Sequence, residues 1–306
     1  MLRAAFIALS ENRTLRHMAE SSSLGHRVSS RFVAGTTIDE ALRATQETNA
    51  LGMSVSLDNL GENVTNAGEA RESAQLYHEL LDRIAERGLD ANVSLKLTHM
   101  GFDVDPKLAI EIVDNLVEHA RDKQNFVRVD MEGSPYTQRT LDLVQQIHSR
   151  NGNREAVGAV IQAYLRRSEA DVGNLVSQGT RIRLCKGAYK EPPEIAFPDK
   201  SDVDANFVKL MKLLLKSGIY HGIATHDEKM IEATIAFARA EKIPATAFEF
   251  QMLYGIRRDL QRELVKQGWR LRVYIPFGTE WYPYFMRRLA ERPANALFVA
   301  RNLLRS

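Results

Sequence analysis

The 306-residue chain holds one cysteine, Cys185, which excludes an internal disulfide and any cysteine-rich metal site and fits a reducing compartment. It also lacks a long apolar run, since none approaches the roughly 20 residues that a membrane helix needs. Neither sign of charge dominates, with 41 Lys and Arg against 39 Asp and Glu spread along the chain. No nucleic-acid footprint or polybasic membrane patch stands out, so any anion site must be local. There is no Pro/Gly/Ser-rich linker and no low-complexity tract, which favours one domain over two. Without His-Glu-x-x-His, paired cysteines or a calcium loop, no metal is expected. No G-x-G-x-x-G follows a strand and no G-x-x-x-x-G-K-S/T occurs, so a nucleotide would not sit in a Rossmann or P-loop cradle. The absence of a G-x-S-x-G elbow removes support for serine hydrolysis.

What is present begins with Met1 to Arg31, where Arg3, Arg13, Arg16, Arg27 and Arg31 accompany several serines as in a transit peptide. Glu11 and Glu20 argue against that reading, and Ala4 to Leu9 is too short for a secretory apolar core. Residues 1–50 are expected to be an N-terminal helical segment. Beyond it, β-rich runs alternate with helical patterns. The runs are Met53–Leu57, Asn92–Leu97, Phe126–Met131, Val157–Ala163, Arg181–Ala188, Tyr220–Thr225, Ala245–Met252 and Leu271–Phe277. Apolar residues return every three or four positions in Ala67–Arg87, Pro106–Asp122, Thr137–Arg150, Val203–Lys216, Glu228–Glu241 and Ile256–Gln267. Eight β-then-α units without a linker predict an α/β protein whose residues 51–306 form a (β/α)8 TIM-like barrel.

In that fold chemistry lies at the C-terminal ends of the strands. These ends offer Asp58, Lys96, Asp130 with Glu132, Gln162, Arg183 with Lys186, Thr225 with His226 and Asp227, Glu249 with Gln251, and Tyr274. Lys96 shares a strand face with Ser94 and Thr98, and Asp58 on the neighbouring strand is its obvious partner, in a structural ion pair or a substrate site. In Arg181-Ile-Arg-Leu-Cys-Lys-Gly-Ala-Tyr-Lys190 the strand breaks at Gly187, where a backbone without Cβ can approach a ligand. Backbone N–H groups from Cys185 to Tyr189 could bond a heterocycle or phosphate, with Arg183 as a permanent cation. Ala224-Thr-His-Asp227 reads as a strand end and a helix start, a place that favours phosphate. Near the C-terminus, Arg287 and Arg288 stand side by side in an aromatic setting, suited to gripping a carboxylate or phosphate from two sides.

Arg183-Leu-Cys-Lys-Gly-Ala-Tyr189, Phe248-Glu-Phe-Gln-Met-Leu253 and Tyr284-Phe-Met-Arg-Arg-Leu-Ala-Glu291 together resemble the proline dehydrogenase family. Val93-Ser-Leu-Lys96, Ile161-Gln-Ala163 and Ala224-Thr-His226 fit the same pattern, in the same order, and the chain looks like the short monofunctional form. The resemblance implies a distorted (β/α)8 barrel with its last helix over the mouth. It also implies a noncovalent FAD and oxidation of L-proline to Δ1-pyrroline-5-carboxylate by hydride transfer to flavin N5. Carried over by position, Lys96, Arg287 and Arg288 would clamp the substrate carboxylate, and Tyr274, Tyr284 and Leu253 would wall its ring. Arg183 would lie near N5, with Asp130 and Met131 flanking the ring system and Gln162 at its edge. Cys185, Lys186, Gly187, Ala188, Tyr189, Thr225 and His226 would hold the rest of the cofactor, with Lys200 and Glu291 as further contacts. A membrane quinone would take the electrons, implying a cytoplasmic protein that meets the inner face of the membrane peripherally. No nucleic-acid partner is expected. The alternative is a Schiff-base aldolase or lyase that uses Lys96 or Lys186.

Overall fold

A computed structural model describes residues 29–150 and 152–291, apart from the side chains of residues 287 and 289–291. Residues 1–28 of the expected N-terminal segment therefore lie outside the described residues, as do the side chains of Arg287 and Glu291.

Eight parallel strands close into one barrel in chain order. They are β1 (Ser54–Asn59), β2 (Ala91–Leu95), β3 (Val127–Val129), β4 (Val157–Gln162), β5 (Arg181–Cys185), β6 (His221–Ala224), β7 (Phe248–Leu253) and β8 (Leu271–Phe277). Pairing of Ser56 with Tyr274 and of Asp58 with Pro276 joins β1 to β8 and closes the ring. The described helices are α1 (Ile38–Asn49), α2 (Ala67–Glu86), α3 (Pro106–Asp122), α4 (Ser134–His148), α5 (Ser168–Ser177), α6 (Lys200–Lys216), α7 (Glu228–Ala240), α8 (Arg258–Lys266) and α9 (Trp281–Glu291). The expected strand-helix alternation is present. The β5 strand stops at Cys185, short of the expected Ala188, because Gly187 takes φ 109° and turns the chain away. The helix α5 gave little signal in the sequence, with buried Val172 and Leu175 as its main apolar contacts.

The two faces of the strands divide the barrel chemically. Val55 and Leu57, Val93 and Leu95, Val127 and Val129, and Val273 and Ile275 belong to the main apolar core. The alternate positions carry Ser56 and Asp58, Ser94, Arg183, Glu249 and Gln251, and Arg272 and Tyr274, which hydrogen-bond to one another across the barrel. A period of two thus places apolar side chains against the helices and polar ones along the axis.

Helix ends are set locally. Thr37 and Glu40 form a reciprocal capping box on α1, Asn66 caps α2, and Asp105 precedes Pro106 at the start of α3. Ala41, Leu42 and Ala44 of α1 join the main core, so this helix belongs to the layer around the barrel. The segment before it follows β8: Ala34 N–H donates to Pro276 O at 2.9 Å, and Gly278 N–H to Gly35 O at 3.0 Å. Phe32 and Val33 then pack with Leu60, Ile256, Trp281, Tyr282, Tyr284, Phe285 and Met286. Because Leu60 follows β1 and Leu253 ends β7, this second cluster seats α9 on the C-terminal ends of the strands.

His221, wholly buried in β6, accepts from Ile182 N–H at 3.0 Å through Nδ1, so its neutral ring donates through Nε2 to Ser217 Oγ at 2.9 Å. Burial, with Arg128 nearby, pushes this imidazole down to about 3. An unfolded histidine titrates near 6.5, so below that pH the unfolded chain binds a proton that the folded ring refuses. Stability from this site is complete above about pH 6.5 and falls as the pH drops toward 3. Moving from pH 7 to pH 5 should cost about 2 kcal/mol through His221 alone. His221→Asn, which keeps an acceptor for Ile182 N–H, should flatten the profile by that amount in urea denaturation. Parallel profiles for the two proteins would show that His221 does not titrate as described.

Candidate active site

Arg183 enters the barrel from the middle of β5 and is 6% exposed. Its Nη1 donates to Asp130 Oδ1 at 2.6 Å. Its Nη2 donates to Ser94 Oγ at 3.0 Å and Ser56 Oγ at 3.3 Å, and its Nε donates to Gln251 Oε1. Each nitrogen of the guanidinium is therefore fixed, and the charge is held by a carboxylate and neutral dipoles. Space for this comes from Gly222, paired with Arg183 in β6, where an added Cβ would lie 2.3 Å from Gln251 Nε2. Gln251 in turn donates to Glu249 Oε1 at 2.6 Å.

Toward the mouth, Tyr274 O–H donates to Asp130 Oδ2 at 2.8 Å, and the Arg183 guanidinium carbon lies 5.1 Å from the Tyr274 ring centre. Burial, then Asp130 and Asp58, push the Tyr274 phenol well above its ordinary range, so it remains a donor. Beside it, Lys96 Nζ lies 2.9 Å from Asp58 Oδ2, with the lysine side chain 12% exposed and the aspartate 2%. Tyr77 O–H donates to Ser94 O at 2.8 Å and reaches Asp58 Oδ1 at 3.4 Å. Burial acts against the charge on Lys96, but Asp58, Asp130 and Glu62 outweigh it and hold the ammonium protonated. For Asp58 burial dominates and raises its carboxyl, with Lys96 opposing.

Above these groups, Tyr284 and half-buried Leu253 belong to the α9 cluster, and the Arg288 guanidinium carbon lies 5.0 Å from the Tyr284 ring centre. Gln162 is buried and donates to Glu132 O at 2.9 Å, and Glu132 accepts from Thr98 Oγ1 at 2.7 Å. Met131 is buried with the main core. Cys185 ends β5, and burial, with Asp130 adding to it, pushes its thiol up to about 12, so it stays protonated at neutral pH.

The β5 loop forms a second sector. A Cβ on Gly187 would fall 2.2 Å from Tyr164 Cδ1, so glycine alone lets the loop lie on that ring. Lys186 pairs with Asp227 at 2.7 Å and with Asp204; Lys200 pairs with Asp204 and stands 3.5 Å from Asp227. Asp227 caps α7 by accepting from Lys229 N–H, and Thr225 Oγ1 accepts from Asp227 N–H at 3.1 Å. His226 Nε2 accepts from Leu253 N–H at 2.9 Å, which leaves the proton of the neutral ring on Nδ1. Ala188 and Tyr189 are exposed beyond the loop.

The family model for proline dehydrogenase matches residues 41–301. The chain belongs to the proline dehydrogenase family. It is 43% identical over 307 residues to proline dehydrogenase 1 of Bacillus subtilis subsp. natto, covering 100% of both chains. It is 38% identical over 308 residues to proline dehydrogenase of Deinococcus radiodurans, covering 100% of this chain and 98% of that one. Among solved structures it is similar to proline utilization A from Bdellovibrio bacteriovorus inactivated by N-propargylglycine. That likeness has a TM-score of 0.83 and 27% identity, over 95% of this chain and 36% of the other. The chain thus spans about a third of that structure but the full length of the Bacillus relative.

For a proline dehydrogenase with a dinucleotide cofactor, the β5 loop and the start of α7 are the natural cradle. The residues present fit such a group. Two lysines beside a helix N-terminus suit a pyrophosphate, which would share them with Asp204 and Asp227, and the ring of Tyr164, whose buried hydroxyl has no hydrogen-bond partner among the described residues, lies against Gly187 of the same loop. The sequence expectations include Lys186 and Lys200 but not Asp204, one helical turn after Lys200, nor Ser56 and Tyr164. Alternation along β1 could have flagged Ser56, because it shares a face with Asp58. Nothing in the sequence shows that Tyr164 lies on Gly187.

Asp130 accepts from both Arg183 and Tyr274, so Asp130→Ala should destabilise the protein by about 3 kcal/mol by leaving a buried guanidinium without its carboxylate. In a double-mutant cycle with Tyr274→Phe, urea denaturation should give a coupling of about 1 kcal/mol or more. Additive losses would mean that Tyr274 does not donate to Asp130.

Proposed function

We propose that this chain oxidises L-proline to Δ1-pyrroline-5-carboxylate with a noncovalent FAD, as the first step of proline catabolism. Family membership supports the substrate and reaction. The observation that carries the mechanism is Arg183, a buried and fully bonded cation between Asp130 and the mouth.

Lys96, Arg287 and Arg288 bind the substrate carboxylate, and Tyr274, Tyr284 and Leu253 enclose the pyrrolidine ring and keep water away. The amine must be neutral before a hydride can leave the adjacent ring carbon, since the product nitrogen takes on positive character. A bound FAD would supply the hydride acceptor, at N5, and the electrons would go on to a membrane quinone. Arg183 holds positive charge where negative charge develops, and it needs no reorganisation because its hydrogen bonds are already made. Asp130, with Tyr274, keeps that guanidinium in place. Lys186, Gly187, Thr225 and His226 hold the cofactor, which requires Lys186 to share its ammonium between phosphate oxygens and its aspartates. Cys185, Ala188, Tyr189, Gln162, Met131, Lys200 and Glu291 complete this set. Among the described residues no helix is long and apolar enough to cross a membrane, so contact with a membrane quinone would be peripheral.

The Schiff-base reading is not favoured. A nucleophilic lysine needs a lowered pKa, and Asp58 with its neighbours holds Lys96 protonated. Lys186 is likewise engaged by two carboxylates.

The purified protein should be yellow, and L-proline should bleach it under exclusion of oxygen. A colourless preparation that takes up no added FAD would overturn the proposal. Arg288→Lys should raise KM for proline about tenfold or more with the flavin retained, since a point charge cannot reproduce bidentate carboxylate binding. An unchanged KM would remove Arg288 from the clamp.

A further inference from the structure

At the opposite, N-terminal end of the barrel lies a cavity of about 530 Å³ lined by Asn92, Phe126, Arg128, Arg181, Tyr220 and Arg272, among others. This face of a (β/α)8 barrel ordinarily serves stability, away from the chemistry. Two of its arginines have carboxylate partners: Arg181 pairs with Glu155 at 2.8 Å, and Arg272 with Glu249 at 2.7 Å. Arg128 pairs with none among the described residues. It is 4% exposed, donates through Nη1 to Ala159 O at 2.9 Å and Arg181 O at 2.7 Å, and has no partner for Nε. Its guanidinium carbon lies 4.6 Å from the centre of the Phe126 ring, and that of Arg181 lies 5.5 Å from the same ring. Glycine at 158 makes room, since a Cβ there would lie 2.7 Å from Arg128 Nη1.

A buried cation without a counter-charge is the costly case in protein electrostatics. Burial, then the nearby Arg183, work against its charge more than Glu249 and Asp130 support it, and an anion in the cavity would add the contact that the two carboxylates do not make. The second open group is Asn92, 8% exposed, whose Oδ1 lacks a donor. We propose that this cavity binds a small organic molecule carrying an oxyanion, set against Arg128 and Arg181, together with a hydroxyl or amine that donates to Asn92. The volume exceeds what a bare inorganic ion fills. The carboxylate and phosphate versions share this chemistry and are separated by titration. The site is independent of the active-site reading, because it uses none of the mouth residues.

Isothermal titration of the whole chain with inorganic phosphate and with glycolate, at constant ionic strength balanced by chloride, tests the proposal. At least one of the two should bind a single saturable site. Arg181→Gln, which leaves Glu155 in solvent, should weaken that binding about tenfold, the equivalent of one charge-assisted contact. Arg128→Met should abolish it, and if that variant does not fold the Arg181→Gln comparison still decides. Arg288→Gln, at the other end of the barrel, should leave it unchanged. Absence of saturable binding, binding indifferent to Arg181→Gln, or binding lost with Arg288→Gln would each overturn the proposal.

Discussion

A permanently charged guanidinium on the barrel axis is the constraint to which the interior answers. Arg183 cannot lose its proton, so removing it from water demands a partner for every nitrogen. Asp130 supplies the charge, Gln251 the acceptor for Nε, and Ser94 with Ser56 the acceptors for the remaining nitrogen. Those partners come from β1, β2, β7 and the end of β3, which means that the closed ring itself assembles the shell. The interior of this barrel is accordingly not stacked layers of branched apolar residues. Small and polar side chains face the axis, and the hydrophobic burial that stabilises the fold sits between strands and helices.

Much of this was legible in the chain. Eight β-runs alternating with amphipathic segments require a barrel or a doubly wound sheet, and regular spacing without a linker pointed to closure. The pairing of Lys96 with Asp58 follows from two adjacent strands ending in opposite charges: Asp58 pairs with Ser94 in the sheet, and Lys96, two residues further on, reaches back to it. Less accessible was the sharing of Asp130. Its partners Arg183 and Tyr274 are 53 and 144 positions away, and which strand end reaches which is decided by stagger around a closed ring, a quantity absent from local periodicity. The same holds for Tyr164 on Gly187. A glycine at a strand end signals close approach by something, but the sequence does not say by what. The pairing of Lys200 with Asp204 is an i,i+4 contact that helix spacing could have shown, whereas the reach of Lys186 to Asp204 depends on how that helix docks.

Polar contacts run almost without interruption from one end of the barrel to the other. Arg272 meets Glu249, Glu249 meets Gln251, Gln251 meets Arg183, and Arg183 meets Asp130 beneath Tyr274. Tyr220 O–H, from the N-terminal end, also donates to Glu249 Oε2 at 2.9 Å. Such a column contributes less stability than an apolar filling of equal volume would, because desolvation offsets most of its attraction. Its effect is positional. Each group has its hydrogen-bonding capacity committed to the next, so displacing one leaves another buried without a partner, and the arrangement resists drift.

That resistance holds the Arg183 cation at one place on the barrel axis. A lysine or arginine on a loop would follow the loop's motion, whereas Arg183 is tied to strands on opposite sides of the ring. The mouth residues above it are held differently. Tyr284 and Leu253 belong to an aromatic cluster completed by Phe32 and Val33, residues that precede the barrel in sequence. Dispersion and burial seat α9 there. The two halves of the site therefore differ in what positions them: electrostatic commitment on the floor, packing in the roof. Apolar contacts can be broken and remade at little electrostatic cost, whereas the floor cannot open without exposing an unpaired charge.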